Sequence, residues 1–407
     1  MPDVSFSGLV VVCVIAFVVP LALGMLPRIP VPAVVLEIVC GIVVGPSMLG
    51  WVRVDLVIQV LAVIGLALLL FLAGLEVDPG RLRGRSVRLA GYGFVVSLAI
   101  ALALGAALHL LGQVRSPLFI AILLSATSLG LVVPVLKDAG MIASGFGQLV
   151  VAGATIADFA AVILLSLFFG GSSGALGAKL VLLGSFLALL AAIGLAVAGA
   201  SRSNRLTEAL RHLQDTTAQI RVRGAVLLLI GFVAIAERFG LETILGAFVA
   251  GVILRLIDRD EMLTHPTFRT KLEAIGYGFF VPVFFIASGL RFDVQALFSG
   301  TSTLVRVPVF LVALLAVRGL PALLYRREIG SARGTVAAGL LQATSLPFIV
   351  AATGIGIQLG EVSPGTGAAL IAAGLLSVVL FPPVSLSLLR GRSLPLPMAS
   401  RSESLQE

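Results

Sequence analysis

Thirteen apolar runs, most of them about 20 residues long, dominate this chain of 407 residues. That is the length at which an α-helix crosses the hydrocarbon core of a bilayer. In lipid, only helices and closed barrels satisfy every backbone polar group. The runs are 7–27, 31–50, 56–77, 87–112, 117–137, 146–170, 177–200, 222–237, 240–257, 271–290, 303–325, 333–358 and 365–389. They predict an all-α polytopic membrane protein of about 13 transmembrane helices; the short eighth and ninth runs also read as one bent hairpin. Hydrophobic residues make up 59% of the chain and charged residues 12%, against about 25% charged in soluble proteins.

The formal net charge of +8 does not mark a nucleic-acid surface, because the basic residues sit in short loops between apolar runs. Loops after odd-numbered spans, with the C-terminal tail, hold 21 of the 28 Lys and Arg residues; even-numbered loops hold 6, and Arg318 lies inside a span. The positive-inside rule then puts the C-terminus in the cytoplasm and the N-terminus outside, in a multi-pass cell (inner) membrane protein. The basic, polar loop 201–221 links two halves on the cytoplasmic side, and 391–407 forms a short cytoplasmic tail. No Lys or Arg precedes the first span, so it is expected to be a retained helix, not a cleaved signal peptide. Cys13 and Cys40 both lie inside apolar spans and offer no metal-ligand or disulfide spacing.

The two halves echo one another. Leu36-Glu37 through Gly41 to Gly45 resembles Leu241-Glu242 through Gly246 to Ala250; Phe71 to Asp78 resembles Phe285 to Asp293; Leu123 to Leu129 resembles Leu340 to Leu346. The pairs run from span 2 to 9, 3 to 10 and 5 to 12. A shift of seven spans is odd, so the second half enters the membrane the opposite way round. Such an inverted repeat is the architecture of many secondary transporters.

The third pair carries polar and helix-breaking residues at mid-span depth. These are Ser125, Thr127, Ser128 and Gly130 with Pro134, and Gln342, Thr344 and Ser345 with Pro347. Irregular backbone is tolerated there only where it lines a cavity or is buried in protein. Two discontinuous helices crossing, with half-helix ends aimed at a common point, is the expected arrangement. The competing reading is two intact helices with back-bonded Ser and Thr hydroxyls and proline kinks.

Ionisable residues at depth mark candidate sites. Asp158 stands near the middle of span 6, where a charged residue costs about 3 kcal/mol on insertion scales, so a proton or a small cation is its natural partner. Arg318, in span 11, keeps its proton at any accessible pH. It either works in the core, against a counter-charge or backbone carbonyls, or snorkels to an interface. Glu37 and Glu242 occupy matching repeat positions, near their span centres, as second proton sites or as hydrogen-bonded interface glutamates. Glu76, Asp78 and Asp293 fall at span ends, where solvation predicts no ion-binding role. His109, His212 and His265 read as surface residues.

The segments PAVVLEIVCGIVVGPSMLGWV, FLAGLEVD, ATSLGLVVPVLKDAG, ATIADFAAVILL, GLETILGAFVAGVIL and FVPVFFIASGLRFD are similar, in that order, to the monovalent cation:proton antiporter superfamily. The similarity spans about residues 8 to 390, and its flavour is the Kef/Nap-like branch without a cytosolic nucleotide-binding domain. The resemblance implies an NhaA-like antiporter fold and a homodimer. In it, 1–86 and 222–302 form a dimerisation scaffold, 87–170 and 303–390 an ion-transport core, and 171–221 the linker helix and loop. Asp158 matches the family's ion- and proton-binding aspartate, and Thr127 and Ser128 match the unwound segment that supplies ligands. Relatives carry a polar residue just before the aspartate, and this chain has Ala157. Arg318 falls on the span where relatives carry Lys or Arg, leaning either on Asp158 or on carbonyls of the crossing.

The resulting expectation is a secondary transporter, not an enzyme, in which Asp158 binds a proton or an alkali cation (Na+ or K+) but never both. Thr155, Thr127 and Ser128 would complete an oxygen shell of the kind hard cations take, and no cofactor is expected. One exchangeable carboxylate beside an arginine outside the proton count predicts electroneutral exchange. The alternatives are a cation channel and a Na+-coupled organic-anion symporter.

Overall fold

The computed structural model describes residues 6–25, 32–76, 85–142, 144–170, 176–200, 219–257 and 266–389. Asp78, His212, His265, most of the linking loop and the tail beyond Leu389 lie outside these residues.

Every regular element among the described residues is helical. The first eight helices are α1 (Ser7–Met25), α2 (Ala33–Val44), α3 (Leu56–Glu76), α4 (Arg85–Leu110), α5 (Pro117–Ser125), α6 (Leu129–Asp138), α7 (Gly145–Phe169) and α8 (Leu176–Ala200). The second half holds α9 (Ile220–Arg238), α10 (Thr243–Ile257), α11 (Pro266–Ile275), α12 (Val281–Leu290), a short α13 (Val294–Phe298), α14 (Thr301–Leu314) and α15 (Arg326–Ile329). It ends with α16 (Ala332–Gln342), α17 (Pro347–Gln358) and α18 (Pro364–Leu389). Nine helical stretches in the described residues are long and apolar enough to cross a membrane, and Ala33–Val44, Pro117–Val133 and Thr243–Leu256 are shorter apolar helices. The eighth and ninth runs are two separate helices, because Gly240, at φ +65°, turns the chain sharply between them. A left-handed φ costs glycine nothing.

Two stretches change helical pitch, each shortly before a proline. A π-turn, Gly276–Phe280, precedes Pro282 between α11 and α12, and another, Leu315–Gly319, precedes Pro321. Proline has no N–H to give the carbonyl four residues back, and such turns often sit at functional sites. The second holds Arg318 and runs through a 3-10 turn, Leu320–Tyr325, into α15.

The helices pack in two sets. One contains α1, α2, α3, α9, α10, α11 and α12; the other contains α4 to α7 and α14 to α18. Contacts of α7 and α8 with α10, and of α2 with α18, join them. Within the first set, α2 crosses α12 and α3 crosses α10, the symmetric pair of crossings that exchanging two halves of a repeat produces. Both crossings are glycine-tight. A Cβ on Gly41 would strike Ile286 O and one on Gly289 would strike Ile38 O, while Gly74 and Gly251 stand in the same relation to Phe248 O and Phe71 O. Small residues let helix backbones approach where lipid offers no hydrophobic drive for association.

Gly74→Ala is expected to lower stability by about 1–3 kcal/mol, the usual cost of overpacking. Gly24→Ala, at a position where a Cβ meets nothing within 4 Å, should be neutral. Thermal melts of the detergent-solubilised protein compare the two.

Candidate functional site

Both mid-span interruptions exist, and they meet. The first broken helix runs α5, then Ala126, Thr127 and Ser128 in non-helical backbone, then α6. The second runs α16, then Ala343 to Leu346, then α17. Ser128 N–H donates to Thr344 O at 3.0 Å, and the Thr127 hydroxyl donates to Gln342 O at 2.7 Å. Donors of the first break thus satisfy a carbonyl of the second and one at the helix end beside it. Thr127, Gln342, Thr344 and Ser345 are all fully buried and Ser128 nearly so, as irregular backbone at this depth requires.

Arg318 does not snorkel: only 1% of its surface is exposed. Its Nε donates to Thr127 Oγ1 at 2.7 Å, its Nη1 to Ser97 Oγ at 3.3 Å and its Nη2 to Gly153 O at 3.2 Å. Oxygens of the crossing and of α4 and α7 therefore hold the guanidinium. Ser97, on α4, has a second task. Pro321 leaves Val317 O without its intrahelical N–H, and the Ser97 hydroxyl donates to that carbonyl at 2.7 Å. A proline inside a polar-poor span signals a freed carbonyl; its partner lies 220 residues away and has no sequence signature.

Asp158 turns towards the crossing. Its Oδ2 accepts from Leu129 N–H, the first amide of α6, at 2.9 Å, a site favoured by the positive end of the helix dipole. Its Oδ1 is buried without a hydrogen-bond partner. Ala157, the neighbour that departs from relatives, is fully buried. The carboxylate therefore has one oxygen anchored and one available for a proton or a cation.

The remaining predicted residues divide. Thr155 lies one turn before Asp158, but its hydroxyl donates back to Val151 O at 2.9 Å. The Gln342 amide packs against Gly153, where a Cβ would strike Nε2, and neither of its polar atoms has a partner. Ser345 N–H donates to Ser377 Oγ at 3.2 Å, and its own hydroxyl is buried and unpartnered.

Glu37 and Glu242 are not brought to this crossing. Glu37 is buried in α2 at 5% exposure. Glu242 is not near a span centre: the turn at Gly240 delays α10, so this residue precedes the first helical position, Thr243. Its N–H donates to Ser166 Oγ of α7 at 3.0 Å. Asp293 caps α13, accepting from Ala296 N–H at 2.7 Å, and His109 Nδ1 lies 3.0 Å from Val114 O.

Glu76 departs from its interfacial expectation. Its side chain is 16% exposed, and one of its oxygens is buried without a partner. Packing draws the end of α3 towards α7. Phe159 lies against Phe248 with ring centroids 5.5 Å apart, and the backbone of Phe248 touches Gly74, two residues before Glu76.

Comparisons with known proteins place the chain in a family. A family profile described as "Sodium/hydrogen exchanger, transmembrane" matches residues 13–389. The "Putative Na(+)/H(+) antiporter YjbQ" of Bacillus subtilis is 31% identical over 400 residues, 94% of this chain and 63% of that protein; the chain thus spans less than two thirds of that relative. The "Na(+)/H(+)-K(+) antiporter GerN" of Bacillus cereus is 26% identical over 369 residues, 88% of this chain and 90% of that one. Among solved structures, the sodium proton antiporter MjNhaP1 from Methanocaldococcus jannaschii at pH 8 superposes with a TM-score of 0.63. It is 17% identical and covered at 93% of this chain and 97% of that one, a likeness of fold.

Thr127→Val keeps the shape and removes both hydroxyl bonds at the crossing. Stranding Arg318 Nε and Gln342 O should cost at least about 1–3 kcal/mol, whereas Thr127→Ser should melt near wild type; the same thermal assay reads both.

Proposed function

Since the chain belongs to the sodium/hydrogen exchanger family, we propose that it exchanges a monovalent cation, Na+ or K+, for protons across the membrane by alternating access. The observation that carries this reading is the Asp158 carboxylate, with Oδ2 tied to the α6 N-terminus and Oδ1 buried and unpartnered. A proton and a cation compete for that one oxygen. The Thr127 hydroxyl is engaged with Arg318 and Gln342, so its part in the proposed ion shell is to hold the crossing in shape. Ser128, Thr155 and the backbone of the crossing supply the remaining oxygens.

The two helix sets support a division of labour. Residues 1–86 and 222–302 act as a dimerisation scaffold, while 87–170 and 303–390 form the moving core, joined through 171–221. The protein sits in the cell membrane with its N-terminus outside and its C-terminus in the cytoplasm, as the Lys and Arg bias suggests. The outward face of α1 (Val10, Val14, Phe17) and Phe6 just before it, more than half exposed at each position, suits lipid or a second subunit. The names of the relatives favour coupled exchange over a channel or a symporter. Because Arg318 is buried, hydrogen-bonded and permanently protonated, only Asp158 enters the proton count, and the exchange is electroneutral.

In vesicles, Asp158→Asn should abolish the pH change that follows a Na+ or K+ pulse; unaltered exchange would remove the site assignment. Wild-type rates should not respond to an imposed membrane voltage, and a clear voltage dependence would overturn the stoichiometry.

A further inference from the structure

Two neighbouring elements of the second helix set pass from apolar to basic surface at the same depth. On α4, Arg85, Arg88, Tyr92 and Val95 recur at the spacing of one helical face, and all four are exposed. On the segment that follows Arg318, Leu323 and Leu324 are exposed, and Arg326 and Arg327 come directly after them, exposed as well. The two elements are packed together. Arg85 Nε lies 2.8 Å from Glu328 Oε1, and a Cβ on Gly93 would strike the Tyr325 hydroxyl. The apolar part, from 44% exposed at Leu324 to 67% at Tyr92, is a lipid-facing strip with an aromatic ring at its basic end, as at a membrane–water interface. Glu328, the acid of this group, serves Arg85. The side chains of Arg88, Arg326 and Arg327 have no hydrogen bond or ion pair among the described residues.

We propose that these arginines bind the headgroup phosphate of an anionic phospholipid whose acyl chains lie along Tyr92, Val95, Leu323 and Leu324. Guanidinium donors match phosphate oxygens in geometry and charge. Four arginines against one glutamate leave the group strongly positive. The apolar strip begins where the arginines end, so one amphiphile covers both, whereas a free phosphate would leave the strip bare. The Lys and Arg bias assigns this end of the helices to the cytoplasm, where basic clusters beside the membrane meet anionic lipid. A headgroup here bridges α4 and the segment that carries Arg318, and so braces the packing that brings Ser97 to Val317 O. Arginines that serve only to orient the chain during insertion would show no preference among headgroups.

The test follows the melting temperature of the full chain in detergent as phosphatidylglycerol, phosphatidylcholine or glycerol 3-phosphate is added. Phosphatidylglycerol should raise it in a saturable way, and the other two should leave it unchanged. In the double variant Arg326→Gln/Arg327→Gln, half-saturation should need more phosphatidylglycerol, by about fivefold for each arginine removed. Glu328→Gln removes the competing acid and should lower the amount needed. The control pair Arg53→Gln/Arg291→Gln, exposed at the opposite end of the bundle, should match wild type. No stabilisation by phosphatidylglycerol, equal stabilisation by phosphatidylcholine or by glycerol 3-phosphate, or equal weakening in the two arginine pairs would overturn the proposal. If Arg326→Gln/Arg327→Gln does not accumulate, Glu328→Gln decides alone: tighter binding of phosphatidylglycerol supports the site, and unchanged or weaker binding overturns it.

Discussion

The hydrogen bonds that Thr127 makes in two directions hold the centre of this protein together. Its hydroxyl donates to Gln342 O across the crossing and accepts from the buried Arg318. Two helices are broken in mid-membrane, and each break strands backbone donors and acceptors where water cannot satisfy them. Bringing the breaks against each other lets Ser128 N–H and Thr344 O, and Thr127 and Gln342, settle one another's needs. A half-helix begins at Leu129 as a result, and its first amide is what Asp158 binds. The carboxylate's orientation therefore follows from the break, and the break is tolerable because of its partner.

Arg318 adds permanent positive charge to this centre without a carboxylate at hydrogen-bond distance among its three partners. Such a group is costly to bury unless hydrogen-bonded. The sequence nearby shows how the cost is offset. Pro321 opens the helix ahead of it, the π-turn at Leu315–Gly319 displaces the backbone, and Ser97 serves both the freed Val317 carbonyl and the guanidinium. One hydroxyl on α4 thus links proline, arginine and crossing.

Much of this was legible in the residues. Apolar length located the membrane helices, and Thr127-Ser128 and Thr344-Ser345 beside Gly130 and Pro347 located both breaks, since polar and helix-breaking residues at mid-span depth have few other uses. Asp158 stood out because its neighbours in sequence are apolar. Relations between distant segments were less accessible. Ser97 looks like any serine in an apolar helix until Val317 is placed beside it. Glu76 sits two residues from Asp78 and the basic loop, which points to solvent by sequence alone; its side chain is 16% exposed, with Arg269 of α11 3.8 Å away. Glu242 matched Glu37 by alignment, but the turn at Gly240 shifts the start of its helix and leaves it outside.

The proposed exchange requires one oxygen of Asp158 to be shared, in turn, by a proton and an alkali cation. The most direct measurement is proton release when Na+ or K+ is added to the purified protein in weak buffer, with bound cation counted in parallel. The expected result is up to one proton released per cation bound, absent in Asp158→Asn. Cation binding with no proton release, at a pH where the protein exchanges, would contradict it.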